Sequence, residues 1–122
     1  MNYLLSDVFN DEANIIDWSD FWIKFGDFLD DFKRDPDVNR LEKEPEFSDP
    51  LMSSFLAASI DHLSYINNLP VPVWTRDKKY ILKDPFFPCG FKGLYKLFLL
   101  VESPPAYKIR NIFVESNVLT RV

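Results

Sequence analysis

The sequence predicts a mainly α-helical fold, a compact bundle of three main helices with shorter helical pieces between them. Apolar residues recur at steps of three and four along three long segments, which is the spacing of one face of an α-helix. Prolines stand at the ends of these segments, where a missing amide donor costs little. The 122 residues include twelve Phe but only three Gly. A chain of this length buries roughly two-thirds of its unfolded surface, so we expect one helical domain over residues 1–122.

The strongest helical signal runs from Asp17 to Arg34. Asp17 or Ser19 can cap its start, because a short side-chain oxygen accepts a hydrogen bond from a first-turn amide, and Pro36 ends it. Its large apolar residues share one face: Trp18, Phe21, Trp22, Phe25, Phe28, Leu29 and Phe32. The opposite face carries charged residues: Asp20, Lys24, Asp27, Asp30, Asp31 and Lys33. We therefore expect an acidic surface that faces solvent or a partner protein.

Two further long helices complete the predicted bundle. A polar cap followed by Pro50 is a favourable start, and the apolar pattern then continues from Leu51 to about Asn67 on most sides of the helix. The third helix runs from Gly90 to Ser103, where two consecutive prolines stop it.

Shorter pieces connect these helices. Residues 37–44 read as a short helix. Residues 69–88 form a Pro-rich segment that is too apolar for a linker, so we predict that it wraps across the helices, with one helical turn at 76–80. The tail after residue 105 combines one helical turn with an extended run at 112–114, which predicts a short strand or a hairpin. The predicted core is Trp18, Phe21, Trp22, Phe25, Phe28, Phe55, Ile60, Leu63, Trp74, Leu94, Phe98 and Phe113.

Charge is distributed unevenly along the chain. Residues 1–61 carry five Lys or Arg and fifteen Asp or Glu, whereas residues 62–122 carry nine and four. Such a division predicts either two halves that attract each other within the fold or a bipolar surface that attracts a charged partner. We favour the intramolecular interpretation.

Sequence features that mark cellular location favour the cytoplasm. No stretch approaches the roughly 20 apolar residues that span a bilayer, and no basic residue precedes the short apolar run at the N-terminus. The single cysteine, Cys89, cannot form an internal disulfide, which indicates a reducing compartment. We expect a cytoplasmic protein without a membrane partner.

Candidate catalytic residues are few. The one histidine, His62, lies within an apolar helical pattern, so a core or half-buried histidine is the ordinary interpretation and a catalytic base is the alternative. Cys89 stands just before a predicted helix, where the helix dipole can activate a thiol. No base is identifiable beside it.

Metal and cofactor sites are not indicated. Carboxylates at the spacing of Asp27, Asp30 and Asp31 repel one another without a cation, and no calcium-binding loop is present. The glycines do not form a phosphate-binding pattern. Basic residues in the second half favour nucleic-acid binding, but the acidic first half and a sequence pI of about 4.8 argue against it. We expect no cofactor and no nucleic-acid partner.

The paired prolines near the C-terminus suggest a chain reversal. Glu102 precedes them and Arg110 follows them. An acid and guanidinium pair across the turn would fix its geometry, and we expect Glu102 to accept a hydrogen bond from Arg110. The alternative is that this corner docks a partner.

Residues 69–122 resemble the C-terminal region of bacterial helix-turn-helix, regulator-like proteins, some of which are linked to toxin and antitoxin operons. Five segments carry the resemblance: Pro72-Val73-Trp74, Pro85-Phe86-Phe87, Val101-Glu102-Ser103-Pro104, Arg110-Asn111 with Phe113-Val114, and Leu119-Thr120-Arg121. The resemblance implies an accessory module. DNA binding is not carried over, because residues 1–68 show no helix-turn-helix and the first long helix is too aromatic and acidic for a recognition helix.

These observations predict a non-enzymatic protein-binding module of the antitoxin or regulator-accessory type. Its expected partner is another protein, a toxin or a regulator. One alternative is an acidic, immunity-type inhibitor of a cationic toxin or nuclease. Another is a small enzyme centred on His62, Glu102 and Arg110, which requires these residues to share one pocket. The residues that we expect to contact a partner are Asp27, Asp30, Asp31, Glu102, Lys108 and Arg110.

Overall fold

A computed structural model of the chain describes residues 4–11, 15–88 and 94–119. Within them lie five α-helices: α1 (Leu5–Val8), α2 (Trp18–Arg34), α3 (Pro50–Ile66), α4 (Leu94–Glu102) and α5 (Pro105–Lys108). Three short 3₁₀ helices span Val38–Arg40, Val73–Arg76 and Lys78–Tyr80. The predicted mainly α-helical class is confirmed. None of the helices in the described part is long and apolar enough to cross a membrane.

The two long helices begin where their capping residues predict. At the start of α2, the Asp17 carboxylate accepts a hydrogen bond from the Asp20 amide at 2.9 Å. At the start of α3, Asp49 accepts from the Met52 amide at 2.9 Å, and Pro50 takes the first helical position. These side chains satisfy amide donors that a helix leaves unpaired in its first turn.

An aromatic cluster between α2 and α3 forms the centre of the core. Phe55 of α3 lies with its ring centroid 5.3 Å from Trp22, 5.8 Å from Phe21 and 5.9 Å from Trp18. Of the predicted core, these residues are buried: Phe21, Phe25, Phe28, Phe55, Ile60 and Leu63. The half-buried members are Trp18, Trp22, Trp74 and Phe113.

The predicted core position of Phe98, on α4, is wrong. Phe98 is 50% exposed and Val101 is 67% exposed, whereas Leu99 is buried. The helix is apolar on nearly every side, so periodicity alone does not select the side that packs inward. The predicted start at Gly90, together with Cys89 and the side chain of Leu94, lies outside the described residues.

Two short elements differ from expectation. Helix α1 is absent from the elements predicted from sequence, although Leu5 and the following Phe9 are completely buried. The helix predicted over residues 37–44 is only the 3₁₀ turn Val38–Arg40. Both segments are too short for a helical period to appear in the sequence.

The Pro-rich segment wraps across the helices as predicted. The indole of Trp74 donates to the carbonyl oxygen of Leu41 at 2.8 Å, which anchors the segment after α2. Farther along, the backbone amide of Phe86 donates to the carbonyl oxygen of Asn111 at 3.0 Å. The amide of Phe113 donates to the carbonyl oxygen of Phe86 at 2.9 Å. The strand or hairpin expected near residues 112–114 is therefore one isolated parallel bridge, between Phe86 and Ile112.

Within the described residues, ion pairs join the acidic first half to the basic second half. Asp61 pairs with Arg76 and with Arg110, and Glu44 pairs with Lys79 at 2.6 Å. These contacts support the intramolecular interpretation of the uneven charge. Attraction between the halves acts here within one fold.

Candidate functional site

The residues assigned to partner binding lie in different environments. Asp27 and Asp30 are exposed on α2, and Glu102 and Lys108 are exposed at the ends of α4 and α5. Arg110 is only 2% exposed. Its side chain is enclosed by the fold, so Arg110 presents almost no surface on which a partner could dock.

Asp31 holds the end of α2 in place. Its carboxylate forms an ion pair with the buried guanidinium of Arg40. That guanidinium also donates to the carbonyl oxygen of Asp35 at 3.2 Å and lies 5.5 Å from the ring centroid of Phe28. Asp31 thus neutralises a buried cation and stabilises the fold.

A buried ion cluster lies where α3 meets α5. The Asp61 carboxylate, on α3, is 3.0 Å from the Arg110 guanidinium and 3.1 Å from that of Arg76. Arg110 also donates to the carbonyl oxygens of Thr75, at 2.7 Å, and Ala106. Each polar contact offsets part of the cost of removing these charges from water.

The expected pair between Glu102 and Arg110 is wrong, because the acid that pairs with Arg110 is Asp61. The paired prolines start α5, which turns the chain so that Arg110 contacts Asp61 of α3. Glu102 stays exposed at the end of α4. An acid and guanidinium pair does fix the chain reversal, but the acid comes from a helix more than forty positions earlier.

A cleft of about 410 Å³ opens above this cluster, and we call it the α3–α5 cleft. Its walls are mostly apolar and come from α3 on one side and from α5 and the residue after it on the other. The lining residues are Asp61, His62, Tyr65, Arg76, Pro105, Ala106 and Ile109. Its volume lies near the lower end of the roughly 300–1,000 Å³ that is typical of ligand pockets.

His62 is half-buried in the wall of this cleft, as the ordinary interpretation of the sequence expected. Its ring lies 5.7 Å from that of Tyr107. Burial lowers the pKa of His62 below its usual value, although the neighbouring Asp61 carboxylate opposes the shift. The imidazole is therefore neutral at pH 7, with one donor and one acceptor nitrogen. It makes no hydrogen bond with any part of the chain that the structure describes.

Tyr107 fixes α5 against α3. The side chain is completely buried, and its hydroxyl donates to the Ser59 hydroxyl at 2.8 Å. Its ring also lies 5.7 Å from Phe55. This contact positions the α5 wall of the cleft.

Replacing Tyr107 with phenylalanine is expected to destabilise the protein by about 1–2 kcal/mol, because the buried Ser59 hydroxyl loses its partner. Urea denaturation followed by circular dichroism measures this change. Tyr65→Phe serves as the control, since Tyr65 is 75% exposed and should change stability by less than about 0.5 kcal/mol. Equal effects of the two substitutions would contradict the buried hydrogen bond.

The three residues of the enzyme alternative are not all brought together. His62 is adjacent to Asp61, which pairs with Arg110, but Glu102 does not line the cleft. Asp61, and not Glu102, is the acid beside His62 and Arg110, and Arg76 is a second cation in the cleft that was not predicted from sequence. The available signal was an aspartate inside an otherwise apolar helix, because a buried acid requires a cationic partner.

A second cavity of about 510 Å³ lies near Glu44 and Tyr80. The Tyr80 hydroxyl donates to the Glu44 carboxylate, which also pairs with Lys79. Burial, and then the Glu44 carboxylate, raise the pKa of Tyr80. The polar groups of this cavity bind one another, so the α3–α5 cleft is the stronger candidate for a ligand.

Metal binding and similarity to other proteins add no candidate. Across residues 4–11, 15–88 and 94–119, no three His, Cys, Asp or Glu side chains are grouped so that they could hold a metal ion. Comparisons with protein families, with characterised proteins and with solved structures gave no match to this chain.

Proposed function

We propose that this protein is a non-enzymatic protein-binding module of the antitoxin or regulator-accessory type. Its docking surface runs from the residues just before α2 along the solvent side of the helix, and we call it the α2 stripe: Ile16, which precedes the helix, half-buried Asp20, and exposed Ile23, Asp27 and Asp30. The observation that carries the proposal is the exposure of two isoleucines beside acidic residues, one just before α2 and one on the helix. Ile16 is 85% exposed and Ile23 is 64% exposed.

The spacing of the α2 stripe makes it one continuous surface. Ile23, Asp27 and Asp30 follow each other at steps of four and three, so their side chains lie on adjacent turns. The Asp20 carboxylate accepts a hydrogen bond from the Ile16 amide at 3.1 Å, which fixes the segment before α2 against the first turn of the helix. A single exposed isoleucine is ordinary, but two close to a row of carboxylates favour a contact surface.

The partner that fits the α2 stripe is a protein with a basic, partly apolar surface. Acidic residues attract such a surface over a distance and set the orientation of approach, whereas buried isoleucine side chains supply affinity. A toxin or a regulator with a cationic face has the required chemistry. The resemblance of residues 69–122 to regulator-like proteins supports the accessory type, and the single cysteine supports a cytoplasmic location.

The inhibitor alternative uses the same α2 stripe and is favoured by its carboxylates. An inhibitor of a cationic nuclease depends mainly on charge, so its affinity falls steeply as salt rises. An accessory module depends more on Ile23. Comparing Ile23→Ala with Asp27→Asn in the same binding assay therefore separates the two types.

The experiment is affinity capture with the tagged protein from its native host, followed by mass spectrometry and direct titration of the retained protein. Asp27→Lys with Asp30→Lys is expected to weaken binding by about 10- to 100-fold, because it places like charges against a basic partner. Circular dichroism should show an unchanged fold, since both residues are exposed.

A matched control is Glu42→Lys with Asp84→Lys, which makes the same change in charge at two other exposed positions. This variant should bind like the wild type. Equal binding by wild type, test variant and control would exclude the α2 stripe as the docking surface. Equal weakening by both variants would show that net charge, not the stripe, governs association.

A further inference from the structure

We propose that the α3–α5 cleft is a binding site for a small monocarboxylic acid with a compact apolar group. Arg76 and His62 hold the carboxylate, and Tyr65, Pro105 and Ile109 enclose the apolar group. The site shares no residue with the α2 stripe. Its failure and the failure of the proposed docking surface are therefore separate outcomes.

Charge at the base of the cleft favours an anion. Two guanidinium groups, from Arg76 and Arg110, share the single carboxylate of Asp61. Asp61 is the one acidic residue in the lining of the cleft, and His62 is neutral, so the cluster keeps one positive charge. A positive charge between apolar walls attracts an anion more strongly than the same charge in open water.

Arg76 is the cation that a ligand can reach. It contacts Asp61 through Nε, at 3.1 Å, and through Nη2, at 3.2 Å. The other terminal nitrogen, Nη1, takes no part in this contact. Since 57% of the Arg76 side chain is exposed, its guanidinium can be reached by a second anion. Arg110, only 2% exposed, supplies charge without direct contact.

His62 supplies a second hydrogen-bonding group beside Arg76. The half-buried imidazole makes no hydrogen bond within the described part of the chain, so its N–H group is available to a ligand in the cleft. A carboxylate oxygen would accept from its N–H group. Arg76 and His62 together match the two oxygens of one carboxylate.

The walls and the size of the cleft define the rest of the ligand. Tyr65, Pro105, Ala106 and Ile109 present mostly apolar surface, which an inorganic anion would leave exposed to water. The exposed fractions of Tyr65 and Ile109, 75% and 53%, are large enough for a ligand to bury further surface there. A volume of about 410 Å³ suits a compact aromatic or branched acid.

The test uses phenylacetate and the nuclear magnetic resonance signals of the His62 imidazole, which are unambiguous because the chain has one histidine. We expect saturable shifts with a dissociation constant on the order of 1 mM, as for a fragment of about ten non-hydrogen atoms. Bound phenylacetate should also raise the pKa of His62, because a nearby anion favours the imidazolium form.

Ligand controls separate the parts of the proposal. Phenylacetamide has the same shape without the charge and should not shift the His62 signals. Inorganic phosphate lacks the apolar group and should bind at least about 10-fold more weakly. Equal binding of either control would overturn the proposal. Tighter binding of an N-terminally capped dipeptide with a free C-terminal phenylalanine would overturn the assignment to a small acid. The ligand would then be the C-terminus of a peptide.

Protein variants locate the site. Arg76→Gln should weaken phenylacetate binding by about 10-fold or more through loss of the ion pair. Ala106→Leu fills the cleft without changing any charge and should abolish binding, which keeps the test valid if Arg76→Gln impairs folding. Lys79→Gln removes one positive charge outside the cleft and should bind like the wild type. Wild-type affinity in both cleft variants, or no shift in the wild type, would overturn the proposal.

Discussion

Replacing Arg110 with alanine is expected to destabilise the protein by about 3–5 kcal/mol, because the change leaves the Asp61 carboxylate buried with only one of its two cations. The Asp61 side chain is 5% exposed, and its remaining partner, Arg76, is 57% exposed. The substitution also leaves the carbonyl oxygens of Thr75 and Ala106 without the donors that they have in the native fold. Urea denaturation measures the loss.

Two matched substitutions test whether the Asp61 contact, and not general loss of charge, causes this effect. Lys108→Ala removes an exposed cation two positions earlier and should change stability by less than about 0.5 kcal/mol. Glu102→Ala tests the pairing expected from sequence, and it should be equally mild. A loss with Glu102→Ala comparable to that with Arg110→Ala would contradict the structural assignment of Asp61 as the partner.

Arg110→Lys keeps the charge but lacks the planar, forked geometry that reaches an acid and two carbonyl oxygens together. It should lose less stability than Arg110→Ala. If both variants were equally destabilised, the geometry of the guanidinium, rather than its charge, would be the dominant contribution.

The long helices could be predicted from sequence because their signals are local. α2 begins at Trp18 and α3 at Pro50, within one residue of expectation, since capping and proline geometry depend on neighbouring residues alone. The aromatic face of α2 also follows from period alone, and it leaves Phe21 and Phe25 buried as expected.

The candidate site could not be predicted because its residues are distant in sequence. Asp61 and Arg110 meet only when α5 packs on α3, and no local rule links an acid in one helix to a cation 49 positions later. The acid nearest to Arg110 in the predicted turn, Glu102, was therefore chosen in error. The excess of acidic residues in one half and of basic residues in the other correctly predicted attraction between the halves. It did not indicate which acid pairs with which base.

Replacing Phe55 with alanine is expected to cost about 4–5 kcal/mol, near the upper end for a buried phenylalanine, because Phe55 contacts helices on two sides. Its ring packs on the aromatic face of α2 and lies 5.7 Å from Tyr107 of α5. The edge-on arrangements with Trp18, Phe21 and Trp22 add to the loss of buried area. A cavity at this position would loosen the contact that forms the cleft.

Phe98→Ala is the matched control for Phe55→Ala, since it removes the same atoms from a residue that is 50% exposed and should cost about 1 kcal/mol or less. Thermal and urea denaturation of both variants measure the difference. If Phe55→Ala does not fold, Phe55→Leu retains most of the volume and should cost about 1–2 kcal/mol. Equal losses at positions 55 and 98 would mean that α4 packs inward through Phe98, as its sequence pattern predicted. A large loss at position 55 alone would instead show that the aromatic cluster between α2 and α3 stabilises the fold. Because Phe55 of this cluster also contacts Tyr107 of α5, the cleft wall formed by α5 would depend on the same cluster.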